Sequence, residues 1–197
     1  MRLFFFTLTV FFTLRGCQNS KNKVSSVPST AHEVFDTSKG VIIQNGLPKG
    51  GGYTDSTGKS FGYRIFWTRV SNETATPLEL TINFPADSFA ILPSPDSYFK
   101  LFLPPDTMKL DKKSKYDYGV TGLKSFFSGF NINKPTLFQR TINPKEECLF
   151  YVGALLYKAG GIGRAGLVLK ERNLFYRIRI DQQLDSALIP CGHIAFK

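Results

Sequence analysis

The chain has 197 residues, 42% of them hydrophobic and 20% charged, with a net charge of +10 at pH 7. That length fits one domain with a tail, the apolar fraction excludes wholesale disorder, and the basic balance excludes an acidic solvating protein. Aromatic residues reach 14%, with 19 Phe and 8 Tyr, which favours strands over helices.

Arg2 precedes an uncharged apolar run from Leu3 to Leu14. Twelve helical residues rise about 18 Å, short of a hydrocarbon core of roughly 30 Å. A short apolar run behind a basic start reads as a secretory signal rather than a membrane span. The run ends in Leu14-Arg15-Gly16-Cys17, which resembles the lipobox of bacterial lipoproteins. Leu14, Gly16 and Cys17 match that pattern, and Arg15 departs from it at a position that is otherwise small or uncharged. The resemblance implies removal of residues 1–16, acylation of Cys17 with chains such as palmitate, and attachment to the bacterial envelope. Each buried CH₂ of such a chain contributes about 0.8 kcal/mol, so several chains hold a soluble domain on a membrane. Gln18 stands where an Asp would mark inner-membrane retention in Gram-negative lipoproteins, so the resemblance favours the outer membrane.

Residues 17–40, rich in Ser, Lys and Asn without a sustained period, read as a flexible tether that includes His32. The folded domain is then 41–197. Phe61, Tyr63, Ile65 and Trp67 form one face of a long strand, with Arg64, Phe66, Thr68 and Val70 on the other. Leu78, Leu80, Ile82 and Phe84 alternate with polar residues as a half-buried strand does. The SNETATP stretch between these two reads as the link of a loose hairpin. Residues 98–103 and 137–142 are further strand candidates. Cys148 to Tyr157, apolar on both faces, should be a central strand. Residues 166–170 and 174–180 read as strand, turn, strand around Glu171-Arg172-Asn173, and 188–196 closes the domain with Pro190 at an edge or bulge. Val120 to Ser128 is the one helix candidate. The pattern predicts an all-β fold, an antiparallel β-sandwich that is immunoglobulin-like in general layout, with at most one short helix.

Most chemical motifs fail on context. Residues 161–166 spell GxGxxG, but a hairpin follows instead of the helix a dinucleotide site needs, so the run reads as a flexible glycine loop. Gly58-Lys59-Ser60 lacks the first glycine of a P-loop. Cys148 and Cys191 form a possible disulfide in an exported chain. Cys191 and His193, at i and i+2, would share a strand face, as a nucleophile and base or, with Cys148, as metal ligands; no third orienting residue accompanies them. Asp87, Asp96, Asp106, Asp111 and Asp117 lack calcium-loop spacing. Asp55-Ser56-Thr57, Asp106-Thr107-Met108 and Asp185-Ser186-Ala187 resemble the short O-glycosylation signal of secreted Bacteroidetes proteins, and Asn72-Glu73-Thr74 is a formal N-glycosylation sequon.

The positive charge points elsewhere. Phe175, Arg177 and Arg179 share one strand face, and Lys112 and Lys113 sit in a basic loop, so these four cations are the candidate face for an anionic ligand such as lipopolysaccharide or an acidic glycan. Export argues against nucleic acid. Tyr98, Tyr116, Tyr118 and Phe130 are the aromatic candidates for a carbohydrate surface, with core burial the favoured reading for each, and the loops around 94–115 and 159–165 are the expected contact regions. The sequence thus predicts a membrane-anchored, non-catalytic binding domain with a protein or glycan partner at the envelope and no metal or cofactor. A carbohydrate-binding module and an exported hydrolase of β fold are the alternatives.

Overall fold

A computed structural model describes residues 32–38, 40–180 and 186–197. The signal-like run, the lipobox-like Leu14 to Cys17 and the first part of the expected tether lie outside the described residues, as do 181–185.

The chain forms an antiparallel sandwich of two sheets. Its strands are β1 (His32–Ser38), β2 (Val41–Gly46), β3 (Gly52–Thr54), β4 (Ser60–Asn72), β5 (Leu78–Phe84), β6 (Phe89–Ile91), β7 (Ser94–Phe102), β8 (Thr136–Ile142), β9 (Glu147–Tyr157), β10 (Ile162–Lys170), β11 (Asn173–Ile180) and β12 (Ala187–Phe196), and its one described α-helix is α1 (Leu123–Ser128). One sheet runs β1-β2-β4-β9-β7-β6, with β3 paired to β4, and the other runs β10-β11-β12-β5-β8. The alternation read from the sequence holds on both sides. Phe66, Val70, Leu80, Ile82, Val152 and Tyr176 point between the sheets into the main core. Ile65, Trp67, Tyr151 and Leu155 point outward from the larger sheet, where Met108, Tyr118, Phe126 and Phe127 cover them as a second core. The segment between β7 and β8, with α1 and several 3₁₀ turns, is therefore a cap on that sheet. β9 is apolar on both faces because it has a core on each side.

Three expectations are corrected. Residues 32–38, placed in the tether, form β1, which pairs with β2 from His32 opposite Gly46 to Ser38 opposite Val41. β4 and β5 do not form a hairpin, because they belong to different sheets. Asn72 explains that turn: fully buried, it donates to the Thr76 and Ile142 carbonyls and accepts from the Thr74 N–H and hydroxyl. The side chain thereby satisfies the backbone where the chain crosses between sheets, and its amide is committed, which removes the sequon as a modification site. Finally, Ile162 begins β10, so Gly163 and Gly166 of the glycine run lie in a strand and not in a loop.

The sandwich closes at one corner through a side chain. Asn45, 1% exposed on β2, donates from Nδ2 to the Leu167 carbonyl (3.1 Å) and accepts at Oδ1 from the Leu167 N–H (2.9 Å). Thr68, its partner across β4, donates to the same Oδ1 (3.0 Å) and orients the amide. One carboxamide thus plays the role of a neighbouring strand for the edge of β10. A Cβ at Gly166 would lie 2.7 Å from the Asn45 amide carbon, so glycine is required for the approach.

Replacing Asn45 with Ala leaves both Leu167 backbone groups without partners inside the sandwich, and urea denaturation should show a loss of about 2–4 kcal/mol. Tyr176 presents the opposite case, since its hydroxyl is buried in the main core with no hydrogen-bond partner among the described residues. Tyr176→Phe removes that unsatisfied group and should raise stability by about 1 kcal/mol in the same assay.

Candidate functional site

β11 is buried at Leu174, Tyr176, Ile178 and Ile180, so Arg177 and Arg179 project from the outer face of the smaller sheet. The tight turn that joins β10 to β11 pairs Lys170 with Asn173, and counting back along both strands sets Arg164 opposite Arg179 and Gly166 opposite Arg177. The three arginines meet in a cleft of about 170 Å³ whose other wall is Gly46, Leu47 and Pro48, the end of β2 and the chain leaving it. The docking of Asn45 on Leu167 brings that wall into place. At that size, comparable to a ~150 Å³ cavity that holds one benzene, the cleft has room for a phosphate or carboxylate group. Neither Arg177 nor Arg179 has a hydrogen-bond or ion-pair partner among the described residues, and both are exposed. Guanidinium groups two residues apart on one strand face present forked N–H donors that match an oxyanion's geometry.

Arg164 was not among the expected ligand residues. Its signal was present in the two-residue turn, which fixes the hairpin register, but the glycine run around it reads as loop.

Lys112 and Lys113 do not belong to this face. They lie in the cap, on the far side of the sandwich. Lys112 Nζ donates to both Asp106 carboxylate oxygens (3.2 and 3.1 Å) and to the Thr107 carbonyl (2.9 Å). Lys113 Nζ sits 3.9 Å above the Trp67 ring, and burial there, with Arg69 nearby, lowers its pKa. Both lysines hold the cap to the sheet. Lys49 does the same work by donating to the carbonyls of Lys113 and Lys115, each at 2.8 Å.

The thiols also separate. Cys148 and Cys191 are free, so the disulfide is not formed. Cys191 lies on β12, beside β11, while Cys148 of the opposite sheet is near Arg140 of β8. β8 is two strands from β12, about 10 Å at the usual strand spacing and too far to bridge. Burial pushes the Cys191 thiol up to about 12 and Cys148 up to about 11, which leaves almost no thiolate at neutral pH. Cys191 and His193 do not share a face either. The pairing of β12 with β11 slips between Leu174 and Phe175, a bulge opposite Pro190, Cys191 and Gly192. Cys191 therefore points into the core while His193 is exposed. Gly192 is needed at the slip, because a Cβ there would collide with the Thr81 carbonyl of β5.

The expected aromatic surface divides as well. Tyr118 is core, 4% exposed, with its hydroxyl donating to the Leu47 carbonyl (2.6 Å), whereas Tyr116 is 74% exposed. The Phe130 side chain is outside the described set. The carboxylates stay in separate local roles, Asp96 with Lys158 and Asp117 accepting from the Tyr63 hydroxyl (2.5 Å). Among the described residues no group of three or more His, Cys, Asp or Glu could hold a metal, and no helix is long and apolar enough to cross a membrane. No known family, curated protein or solved structure matches this chain.

Asp106 gives the cap a pH dependence with a definite sign. Burial pushes its carboxyl pKa up, but hydrogen bonds from Thr121, Lys112 and Thr107 outweigh this and hold it below the ordinary 3.8. Its ionised form therefore contributes stability above about pH 3.8, and the contribution is lost as pH falls through the lowered value. Asp106→Asn should cost about 1–3 kcal/mol in urea denaturation at neutral pH, and the gap from the parent protein should close below about pH 3.8.

Proposed function

We propose that this protein is a non-catalytic binding module of the bacterial envelope, held by lipid on Cys17, whose arginine cleft takes the phosphate groups of lipopolysaccharide. The observation that carries this reading is the convergence of Arg164, Arg177 and Arg179 on one small cleft. Arg177 and Arg179 have no carboxylate of the described protein to neutralise them. The route of the chain adds support. β1 enters the sandwich at His32, opposite Gly46, and Gly46 is part of the cleft wall. A chain anchored at Cys17 thus joins the domain beside the cleft, within about 50 Å of the lipid even at full extension. That arrangement keeps the cleft near a phosphate-bearing membrane surface. Guanidinium groups suit the ligand because they bind phosphate oxygens in pairs and stay charged at every physiological pH.

Intact mass of the protein isolated from its native membrane should show a diacyl or triacyl N-terminus at Cys17; an unacylated chain cut elsewhere would remove the anchor from the reading. Purified full-length protein should bind lipopolysaccharide more tightly than its dephosphorylated form, and more weakly as salt rises. Arg177→Ala with Arg179→Ala should weaken binding at least about 100-fold, since each removes a charged hydrogen bond of ~1.5–3 kcal/mol. Because both side chains are exposed, thermal stability should change little. Equal binding to both forms, or to the double variant, would refute the phosphate assignment. Preference for phosphatidylglycerol vesicles over lipopolysaccharide would move the ligand to a phospholipid headgroup.

A further inference from the structure

The opposite face of the molecule holds a second cleft, built on other elements. β7 presents Phe99 and Leu101 to the main core, so Tyr98, Lys100 and Phe102 face the cap. Lys100 lies opposite Leu155 of β9 and is 7% exposed, far more buried than a lysine ordinarily is. Among the described residues its ammonium has no hydrogen bond and no ion pair; exposed Asp87 acts on it only through space, opposing the effect of burial, which lowers its pKa. Its stem is buried while the ammonium opens into a cleft of about 360 Å³, where no described carboxylate bonds it. That volume falls in the ~300–1,000 Å³ range of small-ligand sites.

The walls of the cleft carry the second half of the argument. Tyr53, Phe61, Tyr98 and Phe127 line it. Tyr53 stacks with Phe61 at 6.3 Å between centroids and contacts Phe127 at 5.1 Å, so the rings form a continuous aromatic wall. Tyr98 is fixed by the Lys59 ammonium, which donates to its hydroxyl (3.1 Å) and caps the neighbouring Tyr157 ring at 3.8 Å. Lys59 is thereby engaged, and Lys100 is the cation left to meet a ligand. Ser88 and Asn133 supply polar groups at the cleft. Aromatic faces pack on the C–H face of a pyranose, hydroxyl and amide groups bond its hydroxyls, and an ammonium held in a concave site attracts a carboxylate.

We infer that this cleft is a binding site for a hexuronic acid, with Lys100 pairing the sugar carboxylate against an aromatic wall. The site is independent of the arginine cleft, since the two lie on outer faces of different sheets. It also gives a role to the loop from Thr54 to Ser60, whose Asp55 Oδ1 accepts from the Thr57 and Lys59 N–H groups and so shapes the rim.

The test is calorimetric titration of the full-length protein with sodium glucuronate and, separately, with glucose. Glucuronate should bind at least about tenfold more tightly, the scale of one charge-assisted hydrogen bond. Lys100→Met should abolish that preference; the variant's fold is checked by its thermal transition. Asn133→Asp, an exposed change that brings a negative charge into the cleft without touching the core, should weaken glucuronate by several-fold more than it weakens glucose. Arg177→Ala with Arg179→Ala should leave glucuronate binding intact. No heat from glucuronate, equal affinity for the two sugars, or loss of binding only in the double arginine variant would each overturn the assignment. If Lys100→Met fails to fold, the Asn133→Asp and arginine arms decide it.

Discussion

The sandwich depends at its closed corner on one carboxamide. Two sheets packed face to face leave edges whose N–H and C=O groups need partners, and β10 is such an edge. Asn45 meets it with a donor and an acceptor in the spacing of a peptide group, and Thr68 keeps the amide from rotating. The consequences run outward from there. Gly166 has no side chain because Asn45 occupies its space, and Gly46 has none because the Trp67 indole does. With both glycines in place, the chain after β2 lies across the outer side of β10 and supplies the wall that turns an arginine-bearing strand face into a cleft. Structure and candidate site therefore rest on the same two hydrogen bonds.

The other side of the molecule is organised by aromatic packing with polar stitches. The cap between β7 and β8 has a short helix and several tight turns, none of which would be stable alone. Its anchors are Met108, Tyr118, Phe126 and Phe127 on the larger sheet. Between them the backbone is tied down by side chains of the opposite polarity. Asp106 gathers Thr107, Lys112 and Thr121, and Tyr151 donates to the Tyr118 carbonyl. Asp117 and Tyr118 hold positive φ angles of 46° and 55°, a conformation that such hydrogen bonds maintain against its intrinsic cost.

Side-chain alternation made the faces legible from sequence. It separated Phe66 from Trp67 and Tyr176 from Arg177, and every one of these assignments matches the observed burial. What alternation cannot express is a change of phase or of sheet. The slip at Pro190 to Gly192 reverses the face of everything after it, so Cys191 and His193 part company. The crossing at Asn72 looks like a hairpin link because its composition is that of a turn, and only the buried amide reveals that the next strand belongs elsewhere. β1 was hidden because a strand at a sheet edge needs no apolar run, only a neighbour to pair with. Charge alone groups Lys112 and Lys113 with the arginines, although a lysine stem packs on an aromatic ring as readily as it reaches solvent.

The surplus of positive charge then acquires a pattern. Many cations are engaged locally: Arg69 with Glu147, Lys145 with Glu73, Lys197 with Glu79, and Lys49, Lys59, Lys112 and Lys113 on carbonyls, carboxylates or rings. Among the described residues Arg177, Arg179 and Lys100 have no such partner, and each lines a cleft. A diffuse basic surface would attract any polyanion weakly and from all sides. Cations held in concave sites act differently, because the low-dielectric walls strengthen each interaction and the geometry limits which anions reach them. The two clefts differ in the same terms. Exposed, forked guanidinium groups beside the chain's point of entry suit a hydrated oxyanion at a surface. A single ammonium on a buried stem, opening into a cleft lined by aromatic rings, suits a carboxylate carried on a body with an apolar face. The two clefts lie on outer faces of opposite sheets, so either can be altered without disturbing the other.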